Sequence, residues 1–303
     1  MKDTPKDTQI KTSQDAAGKI DYTLMNDCMF HAVMQSNEKV LKGLVCALLR
    51  LSPDEVHTVT VLNPIEFSNK VCDKEYILDI KVSLNDEAVI NIELQVEEQK
   101  FWNNRSLLYL CRIFDNLKKG QGYFDAVPTY HIGILDFTLF PDYPEFYATN
   151  KMMNVQKHYI YNDKFTLNVL DLNHTELATD EDKRWKLDYW ARLFKAETWE
   201  ELKMLAQQDD VFMETYETIF RQNQDDKVRM WCEAYEEAER VARTIEREHE
   251  HEIAQRDAII AKQNSALAEK DSALAENKQL IAEREAEIAR LERMLAEKNV
   301  QSD

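Results

Sequence analysis

The segment YILDIKVSLNDEAVINIELQVE, residues 76–97, constrains the fold of this chain more than any other stretch. Apolar and more polar side chains alternate along it on both sides of an Asn85-Asp86-Glu87 turn. The apolar positions are Leu78, Ile80, Val82, Leu84, Ala88, Ile90, Ile92, Leu94 and Val96. A period of two around an Asn/Asp turn is typical of a β-hairpin with one apolar and one polar face. We therefore predict two antiparallel strands here.

Counting outwards from the turn gives the register of this hairpin and brings two acidic side chains together. The predicted cross-strand pairs are Leu84–Ala88, Lys81–Asn91, Asp79–Glu93 and Ile77–Gln95. Directly opposed side chains have Cβ atoms about 5 Å apart, so Asp79 and Glu93 would repel each other without a positive group between them. Mg²⁺ suits such a pair because it takes carboxylate oxygens together with water and phosphate oxygens. A solvated polar face on which two acids align explains the pattern equally well.

Asp79 on one strand, followed by Glu93-Leu94-Gln95 on the next, resembles the core motif of PD-(D/E)XK nucleases. The ordered blocks around this motif are together similar to the Rpn family of recombination-promoting nucleases, also described as transposases of the PD-(D/E)XK type. The blocks are NDCMF at 26–30, LDIKVSLNDEAVINIELQ at 78–95, RSLLYLCRIFDNLKKGQGY at 105–123 and HIGILDF at 131–137. The resemblance covers roughly residues 20–175 and leaves the tail beyond about residue 240 outside it.

The resemblance implies an α/β fold with a restriction-endonuclease-like core, in which helices flank a mixed central sheet. It also implies hydrolysis of DNA phosphodiester bonds in recombination or transposition, with Mg²⁺ or Mn²⁺ as the cofactor. Asp79, Glu93 and the backbone carbonyl of Leu94 would hold the metal, which would polarise the scissile phosphate. Gln95 stands where the superfamily usually has Lys, and it could orient water or a phosphate oxygen. Lys81 could supply the missing positive charge, although pairing with an acid explains it equally well.

The segment 101–119 is predicted to form an amphipathic helix that Gly120 closes at its C-terminal end. Arg105, Tyr109 and Arg112 follow a helical spacing and share one side of this helix, which directly follows the Glu-X-Gln strand. Two arginines and a tyrosine on one stripe could hold a DNA backbone through its phosphates. An ion pair with a nearby acid explains Arg112 at least as well, whereas Arg105 opens a family block. The predicted apolar side carries Leu107, Leu108, Leu110, Cys111, Phe114 and Leu117.

Two further residues, Asp27 and His131, are candidates with more than one explanation. Asp27 lies near the start of a helical pattern over residues 24–51, where PD-(D/E)XK folds often carry an acidic residue. An acid at a helix start is also favoured by the helix dipole alone. His131 lies in the apolar strand predicted at 129–137 and could act as a general base, but a lone histidine in such a strand is more often structural.

The composition limits the partners and the compartment that we expect. The 38 Lys/Arg and 56 Asp/Glu residues give a net charge of −18, which argues against DNA binding without a local basic patch and a bound metal. Five cysteines without a CxxC spacing favour reduced thiols over a zinc site or disulfides. The polar N-terminal residues do not resemble a signal peptide, and no apolar run approaches the ~18 residues of a membrane span. We therefore expect a soluble cytoplasmic protein without a membrane partner.

Four regions are predicted: a disordered arm (1–19), the nuclease-like domain (20–175), a helical region (176–240) and a long helix (241–303). Apolar residues in the last region recur every seven positions, which is typical of a coiled coil and predicts a homo-oligomer. They are Ile253, Ile260, Leu267, Leu274, Ile281, Ile288 and Leu295. The second core position is mostly polar, so a weak or antiparallel coiled coil, a helix packed on the rest of the chain and a single solvated helix all stay open.

Two functions from different classes are compatible with these observations. The first is a metal-dependent DNA endonuclease, which the Asp79 and Glu93 pair favours. The second is a catalytically weak or inactive nuclease-like scaffold that acts through coiled-coil oligomerisation and DNA or partner binding. The acidic net charge and the glutamine at position 95 favour the scaffold.

Overall fold

A computed structural model describes residues 12–63, 79–115, 117 and 119–300, with side chains described as far as residue 294. The proximity of Cα atoms divides the chain into two compact units, Met1–Glu237 and Ala238–Asp303. The sheet predicted from the hairpin belongs to the first unit, and the heptad pattern belongs to the second.

Within the described residues, six strands form one mixed sheet in the first unit. They are β1 (Val59–Val61), β2 (Ile80–Leu84), β3 (Ala88–Gln95), β4 (Thr129–Leu135), β5 (Tyr147–Lys151) and β6 (Phe165–Asp171). Their order across the sheet is β1-β2-β3-β4-β6-β5. The β3–β4 and β4–β6 pairs are parallel, and the other neighbouring pairs are antiparallel. This mixed sheet with flanking helices confirms the predicted α/β class.

The β2–β3 hairpin has the register that counting from the turn predicts. Leu84 pairs with Ala88, and Lys81 pairs with Asn91. At the tip, Asn85 adopts a left-handed backbone conformation with φ of 53°. Asparagine tolerates this conformation better than most residues, which explains why the chain reverses at this point.

Two predicted pairs lie beyond the start of β2. Asp79 directly precedes the strand, and the same register continued by one residue places it opposite Glu93. The predicted pair of Ile77 with Gln95 lies outside the described residues, as does the part of the predicted first strand before Asp79.

The helices of the described chain are α1 (Asp27–Ser36), α2 (Glu38–Leu49), α3 (Trp102–Phe114), α4 (Asp180–Arg184), α5 (Leu187–Lys195), α6 (Trp199–Ala206), α7 (Asp210–Gln224) and α8 (Asp226–Val300). Short 3₁₀ turns lie at Ser13–Asp15, Tyr123–Asp125 and Thr175–Leu177. The helical pattern over 24–51 divides at Asn37, whose side chain accepts hydrogen bonds from the backbone N–H groups of Lys39 and Val40. Asn37 is therefore the N-cap that starts α2.

One large hydrophobic core joins one face of the sheet to α1, α2, α5, α6, α7 and the first turns of α8. Ile80, Ile92 and Ile132 point into this core from three neighbouring strands and are fully buried. Trp190 and Trp231 enter it from the helices. The predicted boundary between the nuclease-like domain (20–175) and the helical region (176–240) therefore lies inside one shared core.

Helix α3 covers the opposite face of the sheet with a smaller apolar cluster built on Trp102, Leu135 and Val169. A Cβ atom on Gly133 would lie 2.3 Å from Cζ2 of Trp102. Only glycine at this position lets the indole ring lie directly on β4. This contact fixes the start of α3 over the middle of the sheet.

The structure corrects two expectations about α3. The helix ends at Phe114, short of the predicted residue 119, because Asp115 leaves the helical conformation with ψ of 64°. Its buried side carries Trp102, Ser106 and Leu110, whereas Leu107, Leu108 and Cys111 of the predicted apolar side are exposed. The packing of Trp102 on β4 sets the rotation of α3 about its own axis. Counting apolar residues along the sequence did not predict this rotation.

Residues 12–19 differ from the disordered arm that we predicted over 1–19. The Ser13 hydroxyl donates to Glu217 at 2.6 Å, and the Gly18 N–H donates to Glu200 at 3.1 Å. Ala16 is fully buried in the large core. These contacts order the segment against α6 and α7, while residues 1–11 lie outside the described residues.

The second unit is helical throughout its described residues, 238–300, which belong to α8. Its heptad residues from position 253 to position 288 each expose more than half of their surface. They are Ile253, Ile260, Leu267, Leu274, Ile281 and Ile288. In the part of the chain that the structure describes, no helix combines the length and the apolar character needed to cross a membrane.

Candidate active site

Glu93 lies in the middle of the sheet and is fully buried beneath α3. The Nη2 atom of Arg105, on the first turn of α3, donates to Glu93 Oε1. The Nη1 atom of the same guanidinium donates to Gln99 Oε1 at 2.5 Å. A buried carboxylate requires such a cationic partner, because its charge has lost the solvation of water. Arg105 therefore supplies the cationic partner that the buried Glu93 needs.

Asp79 is held at the start of β2 by the side chain of Asn63. The Asn63 amide donates to the Asp79 carbonyl at 2.7 Å, and its Oδ1 accepts from the Lys81 N–H at 2.8 Å. Asn63 follows β1 in the chain and so continues the pairing with β2 through its side chain. The backbone of Asp79 is therefore anchored although the residue lies outside the regular strand.

Burial and the negative charge of Glu93 raise the pKa of Asp79 to about 6. A weak hydrogen bond from Asn91 to Asp79 Oδ2, at 3.5 Å, and the charges of His131 and Arg105 act in the opposite direction. A raised pKa is the behaviour expected of a carboxyl that shares a partly buried site with a second carboxylate. The two acids therefore form one electrostatically coupled pair.

His131 joins this pair from the neighbouring strand β4. Its Nε2 atom lies 3.3 Å from Glu93 Oε2, and its Nδ1 atom lies 3.2 Å from the amide nitrogen of Asn91. The imidazole ring therefore lies between Asn91, which also contacts Asp79, and Glu93. Asn91 and His131 thus link Asp79 to Glu93 through one buried polar chain.

Tyr109 and Arg112 extend the site along α3. The ring of Tyr109 meets His131 edge-on, with ring centroids 6.1 Å apart. The guanidinium groups of Arg105 and Arg112 lie 5.5 Å and 5.9 Å from the centroid of the Tyr109 ring. The two arginines and the tyrosine therefore form one stacked group beside Glu93, and Arg112 is its exposed member.

The family comparison agrees with this geometry. The family model for the PD-(D/E)XK nuclease family transposase matches residues 24–285. The chain belongs to this family. We found no match among curated proteins and none among solved structures. The match extends well beyond residues 20–175, so most of the helical tail lies inside the family region, contrary to our expectation that it lies outside.

Three candidate residues of this PD-(D/E)XK family chain make fewer contacts with the acidic pair. The Gln95 side chain donates to the backbone carbonyl of Glu97 at 3.1 Å. Lys81 is half-buried and pairs with Asn91 across the hairpin. The Leu94 side chain is buried in the large core, so only its backbone carbonyl could serve as a ligand. The roles that we gave to these three residues stay predictions.

The residues of the acidic pair supply only some of the ligands that a hard divalent cation requires. Among the described residues, no group of three or more His, Cys, Asp and Glu side chains is arranged to hold a metal ion. Within the same residues, Glu93 Oε2 is buried and accepts no hydrogen bond of normal geometry. Mg²⁺ commonly takes one or two protein carboxylates and completes its shell with water and phosphate oxygens. Asp79, Glu93 and the Leu94 carbonyl could therefore hold it only together with such oxygens.

Sequence reasoning missed two polar residues of the site, because Asn63 and Asn91 were not singled out. It named His131 as a candidate general base, with a structural role as the more common alternative. For Asn91 the signal was available, because it shares a face of the predicted hairpin with Glu93. The positions of Asn63 and His131 depend on pairings between distant strands, which counting along the chain does not provide.

Asp27, the other acidic candidate, occupies the first position of α1. The hydroxyl of Tyr235, on α8, donates to its Oδ2 atom. Asp27 therefore ties α1 to the start of the long helix, and its contact with a metal stays a prediction.

Proposed function

We propose that this chain is a metal-dependent DNA endonuclease that hydrolyses phosphodiester bonds in recombination or transposition. The observation that carries the proposal is the coupled pair of Asp79, directly before β2, and Glu93, on the adjacent strand β3 of a PD-(D/E)XK family sheet. Burial and, after it, the charge of Glu93 raise the pKa of Asp79, and a divalent cation between the two carboxyls would favour their ionised forms. The free thiols of Cys28, Cys46, Cys111 and Cys232 suit the cytoplasm as its compartment.

Mg²⁺ or Mn²⁺ would be held by Asp79, Glu93 and the Leu94 carbonyl. When bound, the ion supplies Lewis-acid polarisation of the scissile phosphate. Asn91 and His131 orient the two carboxylates through the buried polar chain, and Asn63 anchors the backbone beneath Asp79. Gln95 and Lys81 would orient water or a phosphate oxygen at the edge of the pair.

DNA would approach along the stacked group of Arg105, Tyr109 and Arg112. A chain with a net charge of −18 needs such a local concentration of cations to meet a phosphate backbone. Arg112 is exposed and would contact a phosphate directly. Arg105 pairs with Glu93 and would hold the positive end of this stacked group next to the acidic pair.

Cleavage of supercoiled plasmid tests the proposal. The wild-type protein should nick plasmid with Mg²⁺ or Mn²⁺ and lose this activity in EDTA. Asp79→Asn should lower the rate at least about a thousandfold, because a metal supplies several kcal/mol of charge stabilisation. Asp86→Asn is the matched control, since it makes the same change at an exposed turn position of the same hairpin. Equal metal-dependent rates for wild type and Asp79→Asn would exclude the assignment.

A second function, homo-oligomerisation through α8, is favoured by the exposed heptad residues of the second unit. Six apolar residues at seven-residue spacing, each more than half exposed, form a stripe that a coiled-coil partner would bury. Deletion of residues 245–303 should abolish self-association, as measured by light scattering, and leave plasmid cleavage intact. A scaffold without its own chemistry would show no cleavage in either form of the protein.

A further inference from the structure

A cavity of about 460 Å³ opens among α2, α5 and α7, on the helices that cover the large core. Its walls are mostly apolar and include Ala47, Leu51, Trp185, Trp190 and Phe212. Sites for small molecules in proteins have volumes of roughly 300–1,000 Å³ and largely apolar walls. None of the residues that form the coupled acidic pair or its polar chain lines this cavity.

The floor of the cavity is rigid. The rings of Trp190 and Phe212 pack on each other with centroids 5.3 Å apart, and both residues are at most 2% exposed. A Cβ atom on Gly43 would lie 2.3 Å from Cγ1 of Val211, so the glycine allows α2 and α7 to approach closely beside the floor. These two rings close the cavity from below, and the half-buried ring of Trp185 is the aromatic wall that another flat apolar group could contact.

The rim of the cavity carries more positive than negative charge. Lys39, Lys42, Arg184 and Lys186 line it together with the single acid Asp209. Lys186 forms an ion pair with Asp209. Among the described residues, Lys39, Lys42 and Arg184 have no carboxylate partner within 4.0 Å. Three uncompensated cations beside one apolar cavity are unusual in a chain whose net charge is −18.

We propose that this cavity binds a small organic anion with a flat apolar body, of the aromatic carboxylate or aromatic phosphate class. The ring of the ligand packs between Leu51 and Trp185 in the lining of the cavity, and its anionic group meets Lys42 and Arg184 at the rim. A charged group that stays at the partly hydrated rim avoids the cost of full burial while the ring loses contact with water. The inference does not depend on the proposed nuclease function.

Calorimetric titration of the full-length protein with three ring-matched probes tests the chemical class. The probes are 2-naphthoate, the neutral 2-naphthalenemethanol and the cationic 2-naphthylmethylammonium. We expect 2-naphthoate to bind at least about tenfold more tightly than the neutral probe and the cation to bind most weakly. Octanoate distinguishes a flat body from a flexible one and should bind more weakly than 2-naphthoate. Failure of 2-naphthoate to bind at millimolar concentration, or equal binding of the anion and the cation, would overturn the proposal.

Charge reversal locates the binding to this cavity. The double variant Lys42→Glu/Arg184→Glu should weaken 2-naphthoate binding at least about tenfold, because two attractions become repulsions. Lys183→Glu is the matched control, since Lys183 is exposed next to Arg184 but does not line the cavity, and it should change the affinity by less than about twofold. If the double reversal unfolds the protein, Lys42→Gln/Arg184→Gln replaces it with an expected loss of about threefold. Unchanged affinity in a folded double variant would place the binding elsewhere and refute the site.

Discussion

The two faces of the central sheet are built from alternate residues of the same strands, yet they differ in what they bury. Along β3, Ile90, Ile92 and Leu94 point into a large apolar core beneath several helices. Asn91 and Glu93, the residues between them, point to the other side and are buried under α3. The apolar face stabilises the fold by burying apolar groups. The polar face opposes part of this stabilisation, because it holds charged groups away from water. The difference shows how one strand can both stabilise a fold and present a reactive site.

The cover of the two faces differs as well. The apolar face is closed by α1, α2, α5, α6, α7 and the start of α8, whereas the polar face is covered mainly by α3 with Trp102 on Gly133. Glu93 is fully buried beneath this single helix. This cover makes α3 the element whose displacement would expose the acidic pair.

The largest expected effect comes from truncating the apolar face next to Glu93. Ile92→Ala should lower the free energy of unfolding by about 2–5 kcal/mol, because it removes buried methyl groups and leaves a cavity. Glu93→Gln, one residue away, should lower it by less, since the Arg105 that it leaves unpaired is 33% exposed and the substitution also removes the repulsion of Asp79. Urea unfolding followed by circular dichroism measures both values.

The comparison between the faces fails if these two substitutions have similar effects on stability. Ile90→Ala serves as a second probe of the apolar face, because Ile90 is equally buried on the same strand. Glu93→Gln should nevertheless abolish plasmid cleavage, and an active Ile92→Ala protein at low temperature would separate the two contributions.

A smaller effect of opposite sign is expected at Asp79. Its pKa is near 3.8 in the unfolded chain and about 6 in the folded protein, so the folded state binds more protons between these values and stability falls as pH rises through this window. Above pH 6 the ionised Asp79 lowers the free energy of unfolding by its full amount. Asp79→Asn removes this loss. The variant should be more stable than the wild type by on the order of 2 kcal/mol at pH 7.5 in EDTA and about equally stable at pH 4.

Urea titrations of both proteins at the two pH values measure this difference. His31, whose pKa burial lowers to about 4, titrates in both proteins, so its own pH dependence cancels in the comparison. A stability gain of the same size at pH 4 and at pH 7.5 would show that ionisation of Asp79 is not its cause.

The hairpin and its acidic pair could be predicted from the sequence because both depend on local information. Alternation assigns Asp79 and Glu93 to one face, and the Asn85 turn sets the register by counting. His131 could not be assigned in the same way, because its contact with Glu93 requires the parallel pairing of β3 with β4, which are joined through α3. Its neighbours in sequence are apolar and indicate only a buried strand.

The same limit explains the error about α3 and bears on the predicted domain boundary near residue 175. The apolar side of α3 was assigned from leucine spacing, but the contact of Trp102 with Gly133 turns Leu107 and Leu108 outwards. The boundary near residue 175 followed a change from strands to helices along the chain. That change does not coincide with a break in the core, because helices distant in sequence pack on the same sheet face as α1 and α2.

The smallest expected effect on stability, and the sharpest test of the polar face, concerns Arg112. Arg112→Ala should change the free energy of unfolding by less than about 1 kcal/mol, because it removes only an exposed cation–π contact with Tyr109. The affinity of the Arg112→Ala protein for a DNA duplex should fall by a similar factor for every DNA sequence. The slope of log affinity against log salt concentration should decrease in magnitude by about one. Arg192→Ala is the control, since Arg192 is exposed and lies over the ring of Tyr189 on α5, away from the polar face, with Asp188 4.0 Å away as a second contact. An equal loss of DNA affinity in both variants would mean that DNA responds to total charge and not to the group of Arg105, Tyr109 and Arg112 beside Glu93.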